Sequence, residues 1–220
     1  MKVLAIESSC DDTSIAIVND DKSVEFLETI NHRKFHKDLG GVIPEMAARQ
    51  HLEILDILGK SIKKINFSKI SAIAATFGPG LIGGLIVGSS FAKGLSISKN
   101  VKLVPINHLQ AHLLSPRLVS EIKFPYLCLL VSGGNTALVL VKNSKSFITL
   151  GSTIDDSAGE CFDKVAKGLG LGYPGGPEIE RLALGGNIEK FKLPIPLTKK
   201  NNCDFSFSGL KTAALNTIKN

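Results

Sequence analysis

The chain opens with short apolar runs that polar turns separate. Residues 2–6, 14–18 and 24–29 are such runs, and the polar tract 7–13 and the turn 19–21 lie between them. Short apolar segments bounded by Asn, Asp and Ser are typical of β-strands joined by tight turns. The pattern predicts an antiparallel meander of three strands.

A helical period comes next. Leu52, Leu55, Leu58 and Ile62 recur at spacings of three and four residues, and Pro44 stands where the first turn of a helix tolerates proline. This spacing places the four apolar side chains on one face. The segment is therefore predicted to be an amphipathic helix.

The following segments alternate between strand and helix. An apolar run at 70–75 predicts a buried strand, and the glycine-rich stretch after it leads into a helix over 81–98. Residues 102–106 predict another strand, which runs into a third helix that contains His108 and His112. The first half of the chain therefore has the predicted order βββαβα.

At Pro125 the pattern repeats. A second three-stranded meander and three further helices are predicted, with strands at 126–131, 136–141 and 146–150 and helices at 157–169, 177–184 and 210–220.

Two successive βββ openings predict an α/β fold of duplicated lobes. We assign the first lobe to residues 1–124 and the second to 125–220, and we expect the lobes to face each other across a ligand-binding cleft. The second lobe lacks the further strands that complete the first, so it is predicted to be incomplete.

Composition narrows the class of protein. With 44% hydrophobic and 21% charged residues and a mean hydropathy of +0.19, the chain is predicted to be soluble, and disorder, collagen and coiled coil are excluded. The net charge of +6 suits a polyanionic partner, but scattered basic residues serve solubility equally well.

The chain is predicted to be cytoplasmic. Its four cysteines form no Cys-x-x-Cys pair, as expected of reduced thiols, and the amino terminus has no export signal. Residues 70–91 carry no charge, but Pro79 and five glycines interrupt them, which favours a strand, a loop and a helix over a membrane span.

A small-residue turn is the first candidate site. Ser132, Gly133 and Gly134 lie between two predicted strands, where glycines allow backbone N–H groups to face a phosphate or carboxylate. A plain hairpin turn explains the same residues. The polar tract 7–13 occupies the equivalent turn of the first meander, and this favours a phosphate clamp.

A histidine pair is the second candidate. His108 and His112 lie four residues apart, so on a helix both face the same side at a spacing that suits one transition metal. Two hydrogen-bonded structural histidines fit the spacing equally, and a metal needs a third ligand from elsewhere. A zinc peptidase is disfavoured because Leu109 stands where that chemistry needs a glutamate base.

An acidic segment and a glycine turn form the third candidate. Asp156 is interpreted as a helix cap, whereas Asp163 lies mid-helix and could accept hydrogen bonds from ribose hydroxyls. Gly175 and Gly176 would let a sugar or base approach the backbone, although a connecting turn explains them as well.

The last motif is DFSFSGLKT at 204–212. Phe205 and Phe207 are interpreted as core residues of a strand, and Ser208 as a helix cap. Lys211 is a candidate contact for phosphate or RNA.

Together these segments resemble the tRNA threonylcarbamoyladenosine transferase family, called TsaD in bacteria and formerly described as a glycoprotein endopeptidase. The matching blocks are IESSCDDTSIAI, FGPGLIGGLIVG, NHLQAHLLSP, LLVSGGNT, DDSAGECFDKVAKGLGLGYPGGP and DFSFSGLKT. The resemblance implies the actin-like ATPase fold. It also implies N6-L-threonylcarbamoyladenine synthase activity, in which threonylcarbamoyl-AMP modifies the adenosine beside the anticodon of ANN-decoding tRNAs.

The resemblance also implies roles for single residues. His108 and His112 correspond to metal ligands, with Fe²⁺ favoured and Zn²⁺ as the alternative, and Asp163 and Gly176 to ribose and base contacts. No side chain is assigned a catalytic role. The adenylate-binding loop corresponds to Leu130, Val131, Ser132, Gly133 and Gly134. The implied partners are tRNA, a TsaB-type scaffold paralogue and a TsaE-type ATPase.

The chain departs from the family in length. Family members continue for about another hundred residues, which carry an adenosine-binding asparagine and an aspartate that completes the metal site. For this chain as a lone polypeptide the resemblance therefore implies little or no transferase activity. The alternative function is a noncatalytic scaffold of the same fold, which generally lacks the histidine pair and the FSFSGLKT block.

Overall fold

The structure, a computed structural model, describes residues 1–32, 42–63 and 65–219. The chain divides into two compact units, Met1–Leu118 and Val119–Asn220. The sequence analysis placed the lobe boundary after residue 124, and that boundary remains a prediction.

The first unit contains a mixed five-stranded sheet with the order β3-β2-β1-β4-β5. The first three strands form the predicted antiparallel meander, whereas β1, β4 and β5 run parallel. The strands are β1 (Lys2–Glu7), β2 (Asp12–Asn19), β3 (Val24–Asn31), β4 (Ala72–Gly78) and β5 (Lys102–Asn107). The five strands predicted along the first half of the chain are confirmed.

In the described residues of the first unit, four α-helices and one 3-10 turn accompany this sheet. Pro44 is the first residue of α1, as predicted, because its fixed φ suits the first turn. The elements are α1 (Pro44–Ile62), the 3-10 turn Phe67–Lys69, α2 (Ile82–Lys99), α3 (His108–Leu114) and α4 (Pro116–Val119).

The core of the first unit lies between the sheet and the helices α1 and α2. Leu4 and Ile73 from the sheet and Leu58 from α1 are fully buried. The predicted amphipathic helix is confirmed, since Leu55, Leu58 and Ile62 are buried, but Leu52 is 65% exposed. Leu52 lies beside α2 in an apolar groove that Leu55 and Phe91 also line, so the buried stripe of α1 is narrower than its leucine spacing indicates.

The second unit consists of a small antiparallel sheet, in the order β6-β7-β8, and three helices within residues 119–219. Helix α5 contacts both α6 and α7, and it buries Cys161 and Ala166. The elements are β6 (Tyr126–Val131), β7 (Thr136–Asn143), β8 (Ser146–Ser152), α5 (Ala158–Gly168), α6 (Gly175–Ala183) and α7 (Ser208–Lys219). The second meander and all three helices are confirmed.

The strand predicted at Phe205 and Phe207 was wrong. Phe205 forms one isolated parallel bridge to Thr153, and the two half-buried aromatic rings stack with centroids 6.5 Å apart. The Asp155 carboxylate accepts the backbone N–H of Phe207 at 2.8 Å. This contact turns the chain into α7 and ends the pairing.

None of the helices in the described part of the chain combines the length and hydropathy of a transmembrane span.

Candidate functional site

Three parallel strands of the first unit end at the same edge of the sheet. Glu7 is the last residue of β1, Thr76 lies near the end of β4, and His108 directly follows β5. Because the carboxyl ends of parallel strands share one edge, residues distant in sequence meet there. This edge holds the candidate site that contains the histidine pair.

Glu7 receives hydrogen bonds from three directions. Its Oε1 accepts the Ser9 backbone N–H at 2.6 Å, its Oε2 accepts the Thr76 hydroxyl, and Oε2 lies 3.3 Å from His108 Nδ1. Burial alone would raise the pKa of Glu7, but hydrogen bonds from His108, Ser9 and Thr76 outweigh it and lower the pKa to about 2. Glu7 is therefore a carboxylate at neutral pH.

The two predicted histidines lie together. His112 Nε2 is 3.2 Å from His108 Nε2, and the ring centroids are 4.5 Å apart. Burial lowers the pKa of His112, and the neighbouring His108 lowers it further. A neutral imidazole keeps a lone pair, which is the form that binds metals.

The histidine geometry fits a shared metal. Two nitrogens that bind one tetrahedral metal at about 2.0–2.1 Å lie roughly 3.3 Å apart, close to the observed 3.2 Å between the Nε2 atoms. Among the described residues, no group of three or more His, Cys, Asp or Glu side chains could hold a metal ion. The two histidines would supply two ligands to a metal, which would need further ligands from elsewhere.

The glycines of FGPGLIGGLIVG allow α2 to approach the polar turn after β1. The Ser8 hydroxyl donates to Gly84 O at 2.9 Å, and Leu81 N donates to Ser9 O at 2.7 Å. A Cβ at Gly88 would overlap Ser8 Oγ, and one at Gly84 would overlap Ser8 O. These glycines hold the turn in place through backbone contact.

A buried polar cluster beneath this turn was missed by sequence reasoning. Thr13 Oγ1 lies 3.0 Å from His32 Nε2 and 2.8 Å from His51 Nδ1, and all three side chains are fully buried. His51 Nε2 lies 3.1 Å from Cys10 O. Thr13 lies in the polar tract 7–13, but His32 and His51 belong to no motif and lie 19 and 38 residues further along the chain, so no local signal identified the cluster.

The small-residue turn of the second unit is a tight hairpin. Ser132 N donates to Asn135 O at 2.8 Å, and Asn135 N donates to Ser132 Oγ at 3.0 Å. A Cβ at Gly133 or Gly134 would meet nothing within 4 Å, so both glycines border open space. Neither glycine has a positive φ, so the turn itself does not require them.

Leu130 and Val131, the last two residues of β6 before this turn, lie on opposite faces of the strand. Leu130 is 9% exposed, whereas Val131 is 54% exposed. The loop contacts the start of α5, because Ser157 Oγ donates to Gly133 O at 2.6 Å and Gly159 N donates to Ser132 O at 3.2 Å. This side of the second unit thus combines a hairpin with a helix N-terminus.

Asp163 joins two helices. Its Oδ1 accepts the Gly175 N–H at 2.7 Å, where α6 begins. A Cβ at Gly175 would lie 2.9 Å from Asp163 Cα, so this glycine permits helix packing. Gly176 is less enclosed, with Phe162 Cβ at 4.0 Å as the nearest atom to an added Cβ.

The prediction that Asp156 caps α5 was wrong. Ser157 is the N-cap, since its hydroxyl accepts the Glu160 N–H at 3.2 Å. Asp156 instead bonds Lys164 at 3.1 Å and also Lys211. Lys211 was a candidate contact for phosphate or RNA, but its ammonium group bonds to the carboxylate of Asp156 in the same unit.

Ser208 does not cap α7, contrary to the sequence interpretation. It is the first residue of the helix, and its N–H donates to Asp155 Oδ1 at 3.3 Å. Hydrogen bonds from Ser206, Phe207 and Ser208 lower the pKa of Asp155 against the raising effect of desolvation. Asp155 supplies the cap from outside the helix.

Solved structures with the same arrangement of elements define the fold. Component A of (R)-2-hydroxyglutaryl-CoA dehydratase from Acidaminococcus fermentans has a TM-score of 0.53 and 14% identity, covering 100% of this chain and 67% of that one. A ROK family protein from Streptococcus pneumoniae TIGR4 has a TM-score of 0.54 and 18% identity, covering 86% and 69%. The chain has the α/β fold of the actin-like ATPases.

Sequence comparison defines the family more narrowly. The model of the family TsaD, tRNA N6-adenosine threonylcarbamoyltransferase, matches residues 25–220. Proteins of that name from Wolbachia pipientis wMel and Rickettsia canadensis (strain McKiel) are 51% and 50% identical over 99% of this chain. The chain belongs to this family, and it spans 65% and 64% of the length of these two relatives.

Proposed function

We propose that this chain acts in the threonylcarbamoylation of tRNA as an N6-L-threonylcarbamoyladenine synthase. The observation that carries the proposal is its family membership, since relatives named for this activity are 51% identical over 99% of the chain. The donor is threonylcarbamoyl-AMP, and the acceptor is the exocyclic amine of the adenosine beside the anticodon of ANN-decoding tRNAs.

The reaction is an acyl transfer to nitrogen. The amine forms a bond to the carbamoyl carbon, the bond from that carbon to the phosphate oxygen breaks, and AMP leaves with the electron pair while the amine loses a proton. The protein contributes by positioning the two reactants and by stabilising charge on the leaving phosphate.

We assign adenylate binding to the second unit. The proposed contacts are Leu130, Val131, Ser132, Gly133 and Gly134 for the phosphate and Asp163 and Gly176 for the ribose and base. The open space at Gly133 and Gly134 supports this assignment, because a ligand can reach their backbone. Asp163 would serve twice, since it also holds the first turn of α6.

We assign metal binding to the first unit. His108 and His112 would hold one divalent ion through their Nε2 atoms, which lie 3.2 Å apart, with Fe²⁺ favoured and Zn²⁺ as the alternative. A bound divalent metal supplies a Lewis acid that stabilises negative charge on phosphate oxygens.

The proposed partners are tRNA, a TsaB-type scaffold and a TsaE-type ATPase, and the proposed location is the cytoplasm. The net charge of +6 supports a polyanionic substrate.

The test is modification of tRNA in vitro. The chain is combined with the part of a relative that it does not cover, in the same polypeptide or as a second chain, together with the partner proteins and threonylcarbamoyl-AMP. The modified nucleoside is quantified by mass spectrometry. We expect modification with the wild-type sequence and a loss of at least about 100-fold when His108→Ala and His112→Ala are combined.

Gln110→Ala is the matched control, because Gln110 is exposed on the same helix. It should leave the yield unchanged. Modification that survives both histidine substitutions would contradict the metal role, and absence of modification by the combined wild-type protein would contradict the transferase assignment.

A further inference from the structure

Glu7 lies behind the histidine pair, on the side of His108 that faces away from His112. Oε2 of Glu7 is 3.3 Å from His108 Nδ1, whereas His108 Nε2 faces His112. The Ser9 hydroxyl lies 3.0 Å from the same Nδ1. The two nitrogens of one imidazole therefore have different surroundings.

The contact with Glu7 indicates which nitrogen of His108 carries the proton, and the Ser9 hydroxyl is compatible with it because a hydroxyl can accept as well as donate. A carboxylate only accepts hydrogen bonds, so a nitrogen that bonds to it must be a donor. The Ser9 N–H and the Thr76 hydroxyl already donate to Glu7, which orients the carboxyl group towards His108. A neutral imidazole has one N–H, so a proton on Nδ1 leaves the lone pair on Nε2.

We propose that Glu7 is a positioning residue for the metal site: it holds His108 in the Nδ1–H tautomer, so that Nε2 presents its lone pair beside Nε2 of His112. This inference rests on the metal role proposed above for the two histidines. A carboxylate that accepts the second N–H of a metal-binding histidine fixes its ring orientation and makes it a better ligand.

If Glu7 had a purely structural role, its substitution would have a different effect. If Glu7 only held the turn after β1 through Ser9 N, or only tied β1 to β4 through Thr76, its removal would affect folding alone. The contact at His108 Nδ1 makes the tautomer and the metal affinity depend on Glu7 as well. Both quantities are measurable without enzyme activity.

The first experiment measures the tautomer in the metal-free 220-residue chain. Long-range ¹H–¹⁵N NMR of ¹⁵N-histidine-labelled protein distinguishes a protonated Nδ1 from a protonated Nε2, and His108→Gln assigns the signals. We expect His108 to be the Nδ1–H tautomer in the wild type and a mixture of tautomers in Glu7→Gln. An Nε2–H tautomer of His108 in the wild type would overturn the proposal, and this measurement needs no Glu7 variant to fold.

The second experiment measures Zn²⁺ affinity by isothermal titration calorimetry in the presence of a thiol reductant. The variant with both His108→Ala and His112→Ala defines binding elsewhere in the chain, for instance at the cysteines. We expect Glu7→Gln to weaken the histidine-dependent site by about 10- to 100-fold, as loss of such a carboxylate does in other metal sites. Glu7→Asp keeps the charge but draws it away from Nδ1, and it should weaken binding too.

Glu53→Gln is the matched control, because it makes the same chemical change at an exposed position of α1. It should bind Zn²⁺ like the wild type. Histidine-dependent binding that is unchanged in folded Glu7→Gln and Glu7→Asp would overturn this proposal alone. Absence of histidine-dependent Zn²⁺ and Fe²⁺ binding in the wild type would overturn the metal role, and this proposal with it.

Discussion

Three side chains that are distant in sequence or one helical turn apart meet at the edge where β1, β4 and β5 end. Glu7, His108 and His112 form a row in which a carboxylate meets one imidazole and that imidazole meets a second. The row is a consequence of topology, since residues from two strand ends and one helix meet there.

Acid stability tests the state of Glu7. Hydrogen bonds overcome the effect of burial and lower its pKa from 4.5 to about 2 in the folded chain. A carboxyl with a lower pKa in the folded state stabilises the fold above its unfolded pKa, and this contribution is lost as the pH falls from 4.5 to about 2. We expect the difference in free energy of unfolding between the wild type and Glu7→Gln to shrink across that window.

The measurement is urea denaturation of the metal-free chain, followed by circular dichroism, at about pH 7 and about pH 3. Glu53→Gln should show no comparable change with pH. A difference between the wild type and Glu7→Gln that stays constant from the higher to the lower pH would show that Glu7 is not held as a carboxylate by its partners.

The histidine pair could be predicted from spacing, but its surroundings could not. A separation of four residues on a helix places His108 and His112 on one face whatever the tertiary structure. The contact of His108 with Glu7 spans 101 positions in the chain and exists only because β1 and β5 both pair with β4. The buried cluster of Thr13, His32 and His51 was missed for the same reason.

At the scale of elements, the packing of α2 against the turn after β1 determines where the turn lies. A Cβ at Gly88 would overlap the Ser8 hydroxyl, whereas one at Gly94 of the same helix would meet nothing within 4 Å. Alanine substitutions at Gly88 and at Gly94 therefore distinguish the effect of steric overlap on stability from the effect of helix propensity.

We expect Gly88→Ala to lower the free energy of unfolding by about 1–3 kcal/mol because of this overlap. Gly94→Ala should be neutral or stabilising by up to about 1 kcal/mol, since alanine favours the helix. Urea denaturation of both variants makes the comparison. Adding Ser8→Ala to Gly88→Ala should recover part of the loss, and equal effects of the two glycine substitutions would refute the close approach.

The cap of α7 is supplied by a residue more than fifty positions away. Asp155 accepts the N–H groups of Phe207 and Ser208 at 2.8 and 3.3 Å. We expect Asp155→Ala to cost about 1 kcal/mol, the usual effect of losing an N-cap, and to speed amide hydrogen exchange in the first turn of α7. Glu180→Ala, at an exposed position of α6, controls for the lost charge. Unchanged exchange in α7 would exclude the capping role.

Element boundaries followed from the sequence where the signal was local. The meander at β6, β7 and β8 was predicted because antiparallel hairpins pair neighbouring runs. The interpretations of Phe207 and Asp156 were wrong. Phe207 lies in a segment of alternating aromatic and polar residues, and Asp156 has a side chain that can cap a helix. At both positions a hydrogen bond to a residue distant in sequence determines the structure instead. The exposure of Leu52 could not be predicted either, because helical spacing identifies an apolar face without showing how much of that face is covered.

At the scale of the whole molecule, two units share one opening motif. Each begins with an antiparallel βββ meander, and a polar small-residue turn joins its first two strands. The repetition in sequence was enough to predict the duplicated α/β fold. The order of the five-stranded sheet was not predicted, because the parallel pairing of β1 with β4 joins segments about 70 residues apart through non-local contacts.

Anomalous X-ray diffraction shows whether His108 and His112 hold one divalent metal, on which the proposed function and the role of Glu7 both depend. Crystals of the chain grown with Zn²⁺ are measured on both sides of the zinc absorption edge. We expect one anomalous peak about 2.0–2.2 Å from Nε2 of both histidines, and none there in crystals of the chain with both histidines replaced by alanine. A zinc peak elsewhere, with no density between the two imidazoles, would exclude a metal site at this histidine pair.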